Sequence, residues 1–148
     1  VNVSERKRNN MYTKIFTTLP QEAKNIRIEV FMKEQGFENE FDDIDTISHH
    51  IVVFDEGKPI GTCRFFKENN HYTIGRVAVL KEYRNQHIGN LLLESAENEI
   101  KKLNGDLIVV HAQVRVSPFY EKQGYIQFGQ IDDDEGVPHM WMKKKIQY

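Results

Sequence analysis

The 148-residue chain is close to electrically balanced, with 20 basic and 22 acidic side chains and a formal net charge of −2. No overall field therefore favours nucleic acid or an anionic membrane as a partner. At 39% hydrophobic residues the chain can form one domain that buries roughly two-thirds of its unfolded surface, whereas a second full domain would not fit.

A single cysteine, Cys63, excludes an internal disulfide framework and fits a reducing compartment, so we expect a cytoplasmic protein. No apolar run approaches the roughly 20 residues that cross a bilayer, and the first residues lack the apolar centre of a signal peptide. We therefore expect neither a membrane nor a nucleic-acid partner. The polar, aperiodic segment Val1–Asn10 is interpreted as a flexible extension or an expression leftover, which leaves residues 11–148 as one domain.

The first half of the chain alternates strand, helix and loop signals. Met11–Thr18 predicts a strand, and Pro20 fits the first turn of a helix that extends to about Lys33. The acidic, aperiodic segment Gly36–Ile47 predicts a loop with at most one short helical turn. Turn chemistry then separates three further strands into an antiparallel meander, at about His49–Phe54, Pro59–Lys67 and His71–Leu80.

The second half predicts a crossover. A long helix is indicated by apolar residues at steps of three or four, namely Ile88, Leu92, Ala96, Ile100 and Leu103. The apolar run Leu107–Ala112 is typical of a strand covered on both faces. A short helix at Ser117–Gln123 and strands near Tyr125–Ile131 and Val137–Lys145 follow. The order β-α-β-β-β-α-β-α-β-β predicts a mixed α/β (α+β) sheet protein.

The join before the long helix gathers backbone amides at a helix N-terminus; its residues are Arg84, Asn85, Gln86, His87, Ile88, Gly89 and Asn90. Unpaired amides and the positive end of the helix dipole bind anions without needing a particular side chain. The segment thus predicts a phosphate site, for which a CoA pyrophosphate is one candidate. An ordinary helix start beside a solvated Arg84 stays open, because a short basic and glycine pattern is weak on its own.

Three segments resemble the GNAT superfamily of N-acetyltransferases, within a similarity that spans essentially Met11–Ile146. IGRVAVL followed by RNQHIGNLLLESA resembles the acetyl-CoA motif: Arg84 and Gly89 match, and His87 replaces the first glycine. SPFYEKQGY resembles the signature in which a tyrosine, here Tyr120, lies beside the CoA sulfur. EVFMKEQGF, EFDDID, HAQ and EGVPHMWM resemble a small, poorly characterised bacterial subgroup.

The resemblance implies a GNAT-like single domain with a mixed, mostly antiparallel sheet flanked by helices. It implies an enzyme that moves an acetyl group from acetyl-CoA to a primary amine by direct attack in a ternary complex, without a metal. The backbone of Val77, Ala78 and Val79 would hold the pantetheine arm like an added strand, the residues from Arg84 to Asn90 would hold the pyrophosphate, and Ser117 would join the cofactor site. The acceptor would be a small-molecule or peptide amine.

Tyr120 is the implied catalytic residue, since a departing thiolate benefits from a proton donor. A phenol near pKa 10 and a thiol near 8.5 differ by about 1.5 units, or roughly 2 kcal/mol, which modest tuning would remove. A CoA-binding or interaction module without transferase activity is the alternative function. A homodimer through an exposed sheet edge is compatible with the sequence, which does not demand it.

Other chemistry stays open at this stage. Candidates for the base that deprotonates the amine, beside a water relay, are Glu34, Glu40, Asp45, His111 and His139. The acidic group Glu38, Glu40, Asp42, Asp43 and Asp45 either attracts a cationic amine or is a solvated loop, and the second interpretation is favoured. His87 either points away from the phosphates, as we favour, or contacts them. Asp132–Glu135 is interpreted as a charged turn, and Cys63 has no evident partner base for a nucleophilic role.

Overall fold

The computed structural model describes residues 10–148, so the predicted extension from Val1 to Asn9 lies outside the described residues. Asn10 adjoins the fold, because its carbonyl accepts a hydrogen bond from the Glu56 N–H at 3.1 Å. The strands are β1 (Met11–Phe16), β2 (His49–Asp55), β3 (Lys58–Glu68), β4 (His71–Val79), β5 (Leu107–Gln113), β6 (Ile126–Asp134) and β7 (Val137–Lys145). The α-helices are α1 (Gln21–Arg27), α2 (Ile88–Lys102) and α3 (Ser117–Lys122).

All strands belong to one seven-stranded sheet with the order β1-β2-β3-β4-β5-β7-β6. β2 to β4 form the predicted antiparallel meander, β1 extends it by pairing antiparallel with β2, and β7 pairs antiparallel with both β5 and β6. β4 and β5 run parallel because α2 returns the chain between them. The predicted fold class, a mixed and mostly antiparallel sheet with flanking helices, is therefore confirmed.

The first helix differs from the prediction in type. Gln21–Arg27 is α-helical, and Ile28–Glu34 continues it as a π-helix, with Pro20 preceding the first turn at the N-cap. The expected face is correct: Ala23, Ile26, Val30 and Phe31 are buried against β2 and β4. A π-helical stretch widens the turn, a feature that recurs at functional sites and that periodicity alone does not reveal.

Helix α2 covers the opposite face of the sheet. Ile88, Leu92, Ala96 and Ile100 are buried as predicted, together with Leu93. Leu103 was wrongly assigned to this stripe: it follows the last helical residue and is 47% exposed. The apolar core beneath α2 includes residues of both β2 and β7, such as Ile51 and Met142, so it spans the sheet.

The hairpin between β6 and β7 also differs from the prediction. Asp132 and Asp134 belong to β6, so they are not part of a charged turn. The turn itself is Glu135-Gly136, with φ values of 49° and 83°. Two consecutive positive φ values are typical of the tight turn that matches strand twist. Within residues 10–148, no helix has the length and apolar character needed to cross a bilayer.

Candidate active site

β4 and β5 separate shortly after they meet. Their parallel pairing covers only Tyr72 to Ile74 of β4, opposite Ile108 to Val110 of β5. We call the opening beyond Ile74 and Val110 the fork. On the other edge of β4 the register shifts opposite Cys63, where Arg76 adopts φ 52°. An extra residue of this kind is a β-bulge, which bends the strand and increases its twist. The bulge therefore lies where β4 turns away from β5.

The fork leaves the β5-facing edge of Val77–Val79 without a strand partner, while Ala78 and Val79 pair with β3 on the other side. An unpaired strand edge presents N–H and C=O groups to an extended ligand. One of these groups has an internal partner, since the Val79 carbonyl accepts a hydrogen bond from Arg84 Nε at 3.0 Å. The predicted pantetheine segment thus has the required open edge.

The predicted phosphate loop has two residues in the left-handed region, Asn85 at φ 64° and His87 at φ 63°. His87 is the N-cap of α2, its side chain makes no capping hydrogen bond, and it is exposed. The first backbone bond of the helix runs from the Leu91 N–H to the His87 carbonyl. The amides of Ile88, Gly89 and Asn90 precede that bond, as expected for the first turn of a helix.

A left-handed conformation at position 87 gives a physical reason for a glycine there. A side chain at φ near +60° is strained by its Cβ, whereas glycine adopts this region freely. Two residues on, Gly89 lies against Phe119, and a Cβ at Gly89 would stand 3.1 Å from Phe119 Cζ. The loop is thus fitted closely to the SPFY segment that follows β5.

Arg84 does not present a free guanidinium. Its two terminal nitrogens donate to the carboxylate of Glu34 at 2.6 and 2.7 Å. The hydrogen bond from Arg84 lowers the pKa of Glu34, which is thereby held ionised and unsuited to act as a base. The pair joins the end of the π-helix to the phosphate loop, so the charge that Arg84 could offer an anion is largely compensated.

Tyr120 lies on α3 and faces the cavity at the open end of the fork. Its side chain is buried, and burial raises the pKa of its phenol, with the nearby Cys63 thiol adding to the rise. This rise in pKa is opposite to the narrowing of the gap between phenol and thiol that the sequence led us to expect. Proton transfer from Tyr120 to a thiolate is therefore uphill by more than roughly 2 kcal/mol. The phenol stays protonated, which keeps it a hydrogen-bond donor. Ser117 is buried at the start of the same helix.

The acidic segment divides into two parts: Glu38 and Asp43 are exposed, as the solvated interpretation predicts, whereas Glu40, Asp42 and Asp45 are held in ion pairs. Arg27 is 1% exposed and binds Glu40 at 2.7 Å and Asp45 at 2.8 Å. Arg64 binds Asp42 and Asp45 at 2.6 and 2.8 Å. Arg76, at the bulge, binds Glu40 at 3.0 Å. Three guanidinium groups thus compensate three carboxylates and fix the loop beside the fork.

This network bears on two of the candidate bases. Burial would raise the pKa of Asp45, but the hydrogen bonds and charges of Arg27 and Arg64 outweigh it and lower the pKa to about 2. For Glu40, burial outweighs the arginines and raises the pKa. Glu40 also lines the cavity, so it stays a candidate, whereas Asp45 is too weak a base.

The cavity has a volume of about 140 Å³, and His111 and His139 both line it. His111 Nε2 lies 2.7 Å from Asp132 Oδ1. His139 Nδ1 lies 2.8 Å from the Val137 carbonyl. The two rings are 4.8 Å apart. The structure therefore brings both predicted histidines to the fork, together with Tyr120.

Sequence reasoning missed Asp132 and Glu135 as site residues. Asp132 of β6 pairs in register with His139 of β7, and β7 is the strand that lies between β6 and β5. The Glu135 carboxylate accepts hydrogen bonds from the N–H groups of Glu38 and Asn39, which ties the hairpin tip to the loop after the π-helix. No local signal marks either contact, because each joins residues that are far apart in the chain.

Cys63 is buried, and burial raises the pKa of its thiol to about 12. A thiol of this kind is not a nucleophile near neutral pH, in agreement with its lack of a partner base. Within residues 10–148, no group of at least three His, Cys, Asp or Glu residues is arranged to hold a metal ion.

Comparison with known proteins identifies the family. The family described as "Acetyltransferase (GNAT) domain" matches residues 16–146. YjcF of Bacillus subtilis strain 168, named as an uncharacterized N-acetyltransferase, is 33% identical over 127 residues, covering 84% of this chain and 91% of YjcF. The chain belongs to the GNAT family of acyltransferases, and the predicted family and enzyme class are confirmed.

Solved structures agree on the fold. A crystal structure assigned provisionally as an N-acetyltransferase of Lactobacillus plantarum superposes with a TM-score of 0.86 at 27% identity, covering 94% of this chain and all (100%) of the other. An aminoglycoside 6'-N-acetyltransferase complexed with coenzyme A superposes with a TM-score of 0.73 at 14% identity, covering 90% of this chain and 96% of the other. The second similarity supports the fold alone.

Proposed function

We propose that this protein transfers an acetyl group from acetyl-CoA to a primary amine by direct attack within a ternary complex. The observation that carries the proposal is the fork between β4 and β5, which opens onto a cavity lined by Tyr120. The open strand edge, the N-terminus of α2 and the buried phenol would then bind successive parts of one extended ligand. Such an arrangement suits a long thioester substrate whose reactive end must reach a protected site.

Acetyl-CoA fits the residues present. The pantetheine amides would pair with the unpartnered edge of Val77–Val79, as a strand would. The pyrophosphate would accept hydrogen bonds from amides in the segment 84–90, where Asn85 and His87 turn the backbone toward the helix start. The aminoglycoside acetyltransferase of similar fold was solved in complex with coenzyme A, the carrier part of the same co-substrate.

The reaction balances without a covalent enzyme intermediate. The amine nitrogen attacks the thioester carbonyl carbon and loses one N–H proton to a base, and the C–S bond breaks. The departing thiolate takes a proton from the Tyr120 hydroxyl, which regains one from solvent. Burial of this phenol keeps its proton in place, so that it can donate to the sulfur as negative charge develops there. Such a site lowers the activation barrier by aiming a hydrogen-bond donor at charge that develops during the reaction.

The test is thiol release from acetyl-CoA with a panel of polyamines, amino sugars, aminoglycosides, and peptides with free N-termini or lysines. We expect one chemical class to stimulate release, with mass spectrometry showing an acetylated amine. Tight binding of acetyl-CoA without thiol release for any amine would instead favour a CoA-binding or interaction module. Amine-independent incorporation of acetyl into the protein would contradict direct attack.

A further inference from the structure

We propose that His111 accepts the proton of the acceptor amine, and that Asp132 positions its ring for this step. The inference deepens the proposed transferase function and rests on it. The sequence marked His111 only as one of several candidate bases. The structure pairs it with Asp132 on β6, a strand that is not a neighbour of β5 in the sheet.

The position of His111 follows from the fork. Val110 is the last β5 residue paired with β4, and His111 comes next, where the two strands separate. Its side chain lines the same cavity as Tyr120 and is 27% exposed, so a substrate can reach it. The proton acceptor and the proton donor of the reaction thus face one cavity from β5 and α3.

Asp132 reaches His111 because β6 is irregular. The register of β6 against β7 breaks between Phe128 and Asp132, and Gly129 adopts φ 71° in this stretch. The carboxylate oxygen then lies 2.7 Å from His111 Nε2. The hydrogen bond from His111 lowers the pKa of Asp132, so the partner is an anion. A bulge beside an active site is a recognised way of aiming a side chain.

The ring of His111 is also held by its neighbours. It stacks on Trp141, with ring centroids 4.3 Å apart and an angle of 22° between the planes. Asp132 accepts a hydrogen bond from the Nε2–H group, which assigns the lone pair to Nδ1. A ring fixed by a stack on one face and a hydrogen bond at one nitrogen has its basic nitrogen preset. That is the arrangement a carboxylate gives a catalytic histidine.

The two remaining candidates are less suited. The carboxylate of Glu40 is 4% exposed, and its Oε2 is bound by Arg27 and Arg76. His139 donates through Nδ1 to a backbone carbonyl and, among the residues 10–148 that the structure describes, makes no ion pair of its own with a carboxylate. In contrast, protonation of His111 produces an ion pair with Asp132. This pair stabilises the proton after transfer, since opposite charges favour the protonated form.

Each proton in this step has a donor and an acceptor. The amine lone pair bonds to the carbonyl carbon, its N–H proton moves to His111 Nδ1, the C–S bond breaks, and the thiolate takes the Tyr120 proton. His111 then loses its proton to solvent while Tyr120 regains one. The other ionisable groups that face the cavity are Glu40, Arg76, Arg115, Asp134, Glu135 and His139.

The experiment measures kcat and kcat/KM from pH 5 to 10 for the full chain and its variants, with the amine found above. His111→Gln should lower kcat by about 100-fold or more and abolish the acidic limb of the profile, as expected for loss of a general base. Asp132→Asn should lower kcat less and move that limb to lower pH, because the imidazolium loses its anion. The acetyl-CoA dissociation constant, from calorimetry, should change less than about twofold, because neither residue holds the cofactor.

His139→Gln and Glu40→Gln are the matched controls, since each removes one charge-bearing group from the same cavity. An acidic limb that survives in His111→Gln, or that disappears in Glu40→Gln or His139→Gln, would overturn the proposal. A wild-type protein inactive toward all amines would instead refute the proposed function.

If the wild-type protein acetylates no amine, the tautomer of His111 still tests its pairing with Asp132. Long-range ¹H–¹⁵N spectra should show the proton on Nε2 of His111, and Asp132→Asn should remove this preference. A proton on Nδ1 in the wild-type protein would contradict the role of Asp132.

Discussion

Arg84 and Glu34 form a two-pronged ion pair, with nitrogen to oxygen distances of 2.6 and 2.7 Å, across 50 residues of chain. The pair connects the π-helix, which borders the cavity, to the loop that we propose binds the pyrophosphate. Arg84 also donates to the Val79 carbonyl, so it links three segments around the fork. We therefore expect it to act more through geometry than through free charge.

The first prediction concerns this ion pair. Glu34→Gln and Arg84→Gln should each lower the free energy of unfolding slightly, and a double-mutant cycle should give a coupling of about 0.2–1 kcal/mol, the range for partly exposed pairs. The pKa of Glu34 is lowered in the folded state, so its stabilisation is present above the unfolded pKa and is lost as pH falls through the folded one. Urea unfolding at pH 7 and pH 3 measures this, and an equal coupling at both pH values would contradict it.

The second prediction concerns Tyr120. Tyr120→Phe should lower kcat by about 100-fold or more, because removing a general acid has effects of that order. Binding of acetyl-CoA should be nearly unchanged by calorimetry. Tyr125→Phe is the control: this ring lies 5.7 Å from that of Tyr120, but its hydroxyl donates to Glu97. Full turnover in Tyr120→Phe, or equal losses in both variants, would remove the assigned role.

The third prediction concerns His87. His87→Gly and His87→Ala both remove the imidazole, but only glycine suits φ 63° without strain. We expect the glycine variant to bind CoA at least as tightly as the wild-type protein. The alanine variant keeps a strained Cβ, so it should bind CoA more weakly than the glycine variant. Calorimetric titration at pH 6 and pH 8 measures both. Equal weakening in the two variants, stronger at pH 6, would show instead that the charged imidazole contacts the phosphates.

The fourth prediction concerns the buried ion network. Asp45→Asn should destabilise the protein by about 3–5 kcal/mol, because Arg27 and Arg64 lose a buried counter-charge. The folded pKa of about 2 lies below an unfolded value of about 3.9. The stabilisation is thus complete above pH 4 or so and is lost as pH falls toward 2. Denaturation curves between pH 2 and 7 should show a shallower acid dependence in the variant; a slope equal to wild type would contradict this.

Local signals in the sequence were sufficient for much of the fold. The hairpin turns Glu56-Gly57 and Asn69-Asn70 fix the meander, and the apolar steps along α2 fix the face it buries. Both depend on residues within a few positions of one another. The π-helix at Ile28–Glu34 could not be anticipated, because its apolar pattern is also compatible with an α-helix.

The site was predictable only where one segment carries it. The predicted phosphate loop and Tyr120 belong to continuous motifs. Tyr120 lines the cavity at the fork, and Gly89 of the loop lies against the neighbouring Phe119. The pairing of His111 with Asp132 depends on β7 lying between β5 and β6, and on an irregular register in β6. The compensation of Glu40 and Asp45 depends on arginines from α1, β3 and β4. Contacts of this kind follow from tertiary packing, which no local pattern encodes.

The short pairing of β4 with β5 also divides the sheet mechanically. In the sheet, three residue pairs between β4 and β5 join one part, β1–β4, to the other part, β5-β7-β6. On the α2 side a continuous apolar core crosses this seam, whereas the apolar cluster on the α1 side includes residues of β2 and β4 and none of β5 to β7 among the described residues. Motion of these two parts of the sheet relative to each other would therefore break few apolar contacts on the α1 face and many on the α2 face. Opening at the α1 face, with the α2 face as the hinge, would instead have to break the hydrogen bonds that cross it from Glu38 and Asn39 to Glu135.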